Sequence, residues 1–156
     1  MNNIRHPIVE GTFYPNTKEK LIDMLGNFID EFTKEEVISA ISPHAGYIFS
    51  GKTSGLVYSK IVIPETVILL GPNHQGYGEP FAISNSDYWS TPLGRIKVDK
   101  EISEELIIRS RYLKFDDAAH RLEHSIEVQL PFIQYLNPET EIVPITLSGY
   151  LNNPAW

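Results

Sequence analysis

Apolar residues recur at three- and four-residue spacing through Leu21, Met24, Leu25, Phe28, Ile29 and Phe32. That is the period of one buried helical face. Asn16 or Thr17 can cap this helix, with Glu19 and Lys20 in its first turn. The pattern then changes period. Val37–Ile41 is short and mostly apolar and predicts a buried strand, running into Ser42-Pro43-His44-Ala45-Gly46. A helix is expected over Thr53 to Ile61, starting as early as Gly51. Val67–Leu70 predicts a second buried strand, ending in Gly71-Pro72-Asn73-His74-Gln75-Gly76. Strand, helix and strand in this order form a right-handed crossover with parallel pairing. Strands apolar along their length call for cover on both faces of the sheet.

The second half alternates more quickly. Phe81–Ile83, Tyr88-Trp89 and Gly94–Val98 predict short β elements, with turns at Asn85-Ser86-Asp87 and Pro92-Leu93-Gly94. Asp99 can cap a helix through Ser110, with Ile102, Leu106 and Ile107 inside. A further helix is expected from Arg121 or Glu123 to Leu136, with Pro131 marking a kink or a new first turn. Ile142–Leu147 reads as a last strand, which Pro144 assigns to an edge, a strand start or a bulge. The sum is one α/β domain over residues 1–156: three-layer α/β/α with a mostly parallel central sheet. The stretch from Ser148 to Trp156 shows no closing helix and reads as an incomplete C-terminal end.

Composition narrows the function. With 20 acidic and 13 basic side chains the net charge is −7, and no Lys/Arg run exceeds two residues, so a nucleic-acid partner is not expected. There is no apolar run long enough to span a bilayer and no apolar leader after MNNIRHPIVEGTFYP, so neither a membrane partner nor secretion is expected. The chain has no cysteine, which excludes thiolate ligands from within it and fits a cytoplasmic location. A sheet ending on an edge-like strand would leave apolar surface for another chain to cover, which favours a homodimer.

Candidate chemistry gathers at strand ends, where open α/β sheets bind ligands. His44 and His74 each follow a predicted strand in a loop stiffened by Gly and Pro, and two imidazoles delivered this way can converge on one metal or one substrate. His124 and Glu127 lie three apart at a predicted helix start, where Glu127 can fix the tautomer of a proton-transferring His124. Three other motifs are weaker. Gly46-Tyr47-Ile48-Phe49-Ser50-Gly51-Lys52-Thr53 fits a phosphate-loop frame, but its bulky residues oppose close backbone approach. His120-Arg121-Leu122-Glu123-His124 fits an inverted zinc-peptidase pattern that needs both histidines on one helical face. Ser125 lacks the glycine elbow of a hydrolase nucleophile.

Taken together, Glu10-Gly11-Thr12-Phe13-Tyr14-Pro15, Pro43-His44-Ala45-Gly46-Tyr47 with Ser50-Gly51, Gly71-Pro72-Asn73-His74, Thr91-Pro92-Leu93-Gly94, and Glu123-His124-Ser125-Ile126-Glu127-Val128-Gln129-Leu130-Pro131-Phe132 resemble the N-terminal part of the Memo-like family. That family includes system protein B of the AmmeMemoRadiSam gene set, which has a radical-SAM partner. The resemblance implies a fold similar to LigB-like extradiol dioxygenases. It implies metal ligation by His44 and His74, with His124 pointing at the same pocket, and iron or copper as the metal. An Asp, a His and a Cys of the family's second half have no counterpart here, leaving Glu10 and Glu127 as local carboxylates. It implies either a metal-dependent oxidoreductase or a module that binds a small molecule, a protein or a phosphotyrosine peptide, with Tyr47, Tyr77 and Trp89 lining the cleft; a third reading is a truncated fragment with neither activity.

Overall fold

The computed structural model describes residues 2–148; the stretch 149–156, on which the expectation of an incomplete end rests, lies outside the described residues. The elements, in order, are β1 (Ile4–Arg5), α1 (Lys18–Gly26), α2 (Tyr47–Ser59), β2 (Thr66–Pro72), β3 (Phe81–Ile83), β4 (Tyr88–Thr91), β5 (Gly94–Lys97), α3 (Lys100–Arg109), β6 (Lys114–Phe115), α4 (Leu130–Leu136) and β7 (Glu141–Leu147). Two 3₁₀ turns, Asp117–Ala119 and Glu127–Gln129, precede α4. The fold is mixed α/β.

The strands form two sheets rather than one mostly parallel sheet. One has the order β1-β4-β5 and the other β2-β7-β3-β6. β1–β4, β2–β7 and β3–β6 pair in parallel, whereas β3–β7 and β4–β5 are antiparallel. A parallel Val98–Ile142 bridge joins the sheets. The main core packs Leu21 and Leu25 of α1, Tyr47 and Tyr58 of α2, Phe132 and Ile133 of α4, and Ile142 of β7. Val143 and Ile145 instead pack with Ile83, Leu106, Ile107 and Phe115. Both faces of β7 are therefore covered, which explains its continuous apolar run.

Three further expectations, for residues 37–41, β7 and α2, need correction. First, Val37–Ile41 is not a strand: Ile38 and Ile41 are almost wholly exposed, and the nearest β contact is the Glu35–Ile61 bridge. A cavity of about 450 Å³ is lined by Val37, Ile38 and Ala40 together with Ile68 and Leu70 of β2. Among the described residues its backbone joins no ladder, so the expected crossover lacks its first strand. Second, β7 is interior, not an edge, despite Pro144. The Pro144 carbonyl accepts from the Ser84 amide at 3.0 Å, one residue past the end of β3, so the missing N–H falls where that ladder stops. β7 therefore offers no free edge through which a second copy could pair. Third, α2 begins at Tyr47, four residues before Gly51. Gly51 and Gly55 therefore lie inside the helix, where a Cβ would come within 2.3 Å of the Phe28 ring or 2.1 Å of the Phe28 carbonyl oxygen. Both glycines serve a close contact inside the helix, and no phosphate-loop geometry exists there.

Helix ends follow local chemistry. Asp99 caps α3 through its side chain, which accepts from the Ile102 amide at 2.9 Å. Pro131 lies in the first turn of α4, where its missing N–H is not needed. The expected start at Arg121 or Glu123 is too early, because residues 120–126 are turn or irregular.

Candidate metal centre

Three separate segments each deliver one histidine. His44 lies in the loop before α2, whose path is pinned from outside: the Pro43 carbonyl accepts from Ser54 Oγ at 3.2 Å and Gln129 Nε2 at 2.9 Å, and the Tyr47 amide donates to the Phe13 carbonyl at 2.8 Å. His74 follows β2. The Asn73 amide donates to the Leu147 carbonyl at 2.9 Å, and Asn73 Oδ1 accepts from the Gly76 amide at 2.9 Å. Gly76 takes φ +68°, so the tight turn that returns the loop demands glycine. His124 lies in the turn before α4, anchored to the same loop because Ser125 Oγ donates to the Pro72 carbonyl at 2.9 Å.

These loops bring the rings together. Ring centroids are 5.0 Å apart for His44–His74, 4.7 Å for His74–His124 and 5.9 Å for His44–His124. One nitrogen from each ring lies within 4.8 Å of the other two. His44 and His124 are half-buried and His74 is exposed, so the cluster is reachable from solvent. Phe13 meets His124 edge-on at 4.9 Å. A cleft of about 620 Å³ opens beside His44 and His124, walled by Thr12, Phe13, Ile48 and Phe49. Imidazole is a good ligand for iron, copper and zinc, so the donor set fits a transition metal.

A buried carboxylate stands behind the cluster. Glu123 is 1 % exposed, and its Oε1 lies 2.9 Å from His74 Nδ1. Burial raises its pKa, but hydrogen bonds from the His74 ring and from the Ser125 and His74 amides, with the charge of His74, outweigh burial and hold it below the usual range. His124 is shifted downward, first by burial and further by His74 and His44, against the opposing charge of Glu123. A neutral imidazole, the form that binds metal, is thereby favoured at His124.

The Memo-like protein family model matches residues 5–153. The chain belongs to the Memo-like family. It is 49% identical over 146 residues to a MEMO1 family protein of Archaeoglobus fulgidus, covering 92% of this chain and 54% of that protein. The corresponding figures are 46% over 154 residues, 92% and 53% for a MEMO1 family protein of Pyrococcus horikoshii, and 47% over 149 residues, 93% and 55% for one of Aquifex aeolicus. The family match takes in nearly the whole chain, which corrects the expectation that it matches only the N-terminal part of a Memo-like protein; the kinship found is with Memo-like proteins, and nothing in it supports the expected similarity to LigB-like dioxygenases. The chain spans about half the length of these curated relatives.

Within this Memo-like chain several expected site residues lie elsewhere. Glu127 is fully buried, and its carboxylate accepts from Arg5, the Tyr14 hydroxyl at 2.6 Å and the amides of Ile8 and Val9. It fastens the N-terminal segment, and its described hydrogen bonds do not include His124, so a tautomer-fixing role there is corrected. Burial, then the charge of Glu127, raises the pKa of Tyr14, which keeps it a proton donor. Glu10 is exposed. His120 is wholly buried against Trp89, its Nε2 donating to the Ala82 carbonyl at 3.1 Å. It is absent from the histidine cluster, and the turn at 120–126 provides no shared helical face, so the zinc-peptidase pattern is not realised. Tyr47 and Trp89 are core: the Tyr47 hydroxyl donates to the Val128 carbonyl and Trp89 Nε1 to Ser84 Oγ. Tyr77 alone of the three expected aromatics is exposed. Sequence reasoning missed Glu123 as the partner of His74, and Arg5 as the partner of Glu127. The first had a signal, an acidic residue directly before a site histidine. The second had none, because the pair lies far apart along the chain.

Proposed function

We propose that this chain holds a redox-active metal, iron or copper, on His44, His74 and His124, and serves a metal-dependent oxidoreductase activity. The observation that carries this reading is the convergence of three imidazole nitrogens within 4.8 Å from three unrelated segments. Loop histidines without a common role have no reason to meet. All-nitrogen ligation suits iron and copper, and three protein ligands leave positions for an exogenous molecule.

When bound, the metal would supply one-electron redox chemistry at an open coordination position. The chain's own contribution is placement. Pinned loops keep the imidazoles in reach of one point, the downward pKa shift of His124 favours its unprotonated ring, and Phe13, Ile48 and Phe49 line the adjoining cleft with apolar surface. That wall suits a small molecule with an apolar body. The lining residues of this cleft include no Lys or Arg, so no cation stands ready for a phosphotyrosine.

Reconstitution with ferrous iron or copper(II), followed by oxygen uptake in the presence of a reductant, tests the reading. Uptake above that of free metal, lost in His44→Ala and His74→Ala, is the expected outcome. Tight, stoichiometric binding of zinc alone, with no redox turnover, would contradict it.

A further inference from the structure

We propose that Glu123 is the positioning residue of this centre: its carboxylate fixes His74 with the proton on Nδ1, leaving Nε2 as the nitrogen with a free lone pair for metal. The inference rests on the three-histidine reading of the site and assigns a specific task within it.

An ionised carboxylate only accepts hydrogen bonds, so a ring nitrogen 2.9 Å from Glu123 Oε1 must carry a proton. Neutral imidazole has one N–H, and placing it on Nδ1 determines the state of Nε2. Glu123 also grips the backbone on both sides of the cluster. Its Oε2 accepts from the His74 amide at 2.6 Å, while Oε1 accepts from the His124 and Ser125 amides at 2.9 and 2.8 Å. One buried carboxylate therefore sets the His74 ring, the His74 main chain and the turn that carries His124. The near-parallel stacking of those two rings, 16° apart, follows from this shared anchor. The same saturation separates Glu123 from two other roles. A carboxylate accepting four hydrogen bonds while 1 % exposed would have to break several of them to ligate a metal or activate a water.

Two measurements test the proposal. The first is a long-range proton–nitrogen correlation spectrum of the metal-free protein at about pH 8, above the ordinary imidazole range. His74 should be protonated at Nδ1 alone, and Glu123→Gln, whose amide can donate where the carboxylate only accepts, should shift it toward the Nε2-protonated form. The second is titration with ferrous iron and with copper(II) against a competing chelator, where Glu123→Gln should weaken binding by about 10- to 100-fold while the fold survives. An Nε2-protonated His74 in the unsubstituted protein overturns the proposal without any variant, so a Glu123→Gln chain that fails to fold still leaves it decided. Unchanged tautomer and unchanged affinity in a folded variant also overturn it. If the unsubstituted protein binds neither metal but shows the Nδ1 tautomer and its loss in Glu123→Gln, the metal reading fails and the Glu123–His74 coupling stands.

Discussion

The site depends on which polar side chains the interior spends on structure and which it leaves for chemistry. Glu127 and Arg5 are both buried and satisfy each other, so removing one strands the other. Glu127→Ala should cost about 3–5 kcal/mol in urea unfolding, with little direct effect on metal affinity in whatever fraction stays folded. A stable variant with lost metal binding would instead assign Glu127 to the site. His120 gives a second residue-level test. Burial, partly offset by its hydrogen bond to Ala82, lowers its pKa from 6.5 to about 4, and its Nδ1 has no hydrogen-bond partner among the described residues. The folded chain thus binds fewer protons than the unfolded chain between those values. Its stabilising contribution is present above pH 6.5 and is lost as pH falls toward 4. Across that window the protein should lose on the order of 3 kcal/mol more than a His120→Asn variant, read from unfolding curves at each pH. Equal slopes would place His120 in a solvated environment.

Elements show how far sequence pattern alone reaches. Residues 21 and 25 announced α1, where both are buried, and the apolar run 67–70 announced β2, where Leu69 is buried but Ile68 and Leu70 stay exposed on the other face. Val37–Ile41 carried a similar signal and failed, since a strand needs a neighbour and periodicity contains no information about one. Pro144 misled for the opposite reason: its effect depended on where β3 happens to stop. The histidine cluster was half legible. His74 follows from its place at the end of β2, His44 was singled out from an expected strand at 37–41 that does not form, and the contact of Glu123 with His74 emerges only once the His74 loop and residues 123–125 are packed together. Two predictions belong at this scale. Gly55→Ala gains about 1 kcal/mol of helix propensity but meets the Phe28 backbone at 2.1 Å, so overpacking should win and destabilise by about 1–3 kcal/mol in thermal or urea melts. A stabilised variant would mean that the Phe28 turn yields freely. In hydrogen exchange, amides of β7 should be among the slowest, while those of residues 37–41 exchange quickly, because the former are paired on both sides and the latter on neither. Comparable protection in the two would restore a strand at 37–41.

At the scale of the whole molecule, two sheets and their helices hold three loops in register, and the loops hold the histidines. Among the described residues no helix is long and apolar enough to cross a membrane. The family relationship covers nearly all of this chain and about half of each longer relative, so activity belongs to experiment on this chain itself. The most direct test is the metal content of the purified chain after equilibrium dialysis against ferrous iron or copper(II), compared with His44→Ala, His74→Ala and His124→Ala. One metal per chain, lost in all three folded variants, is predicted by a centre built from all three rings. Full retention of metal by any of the three would contradict it.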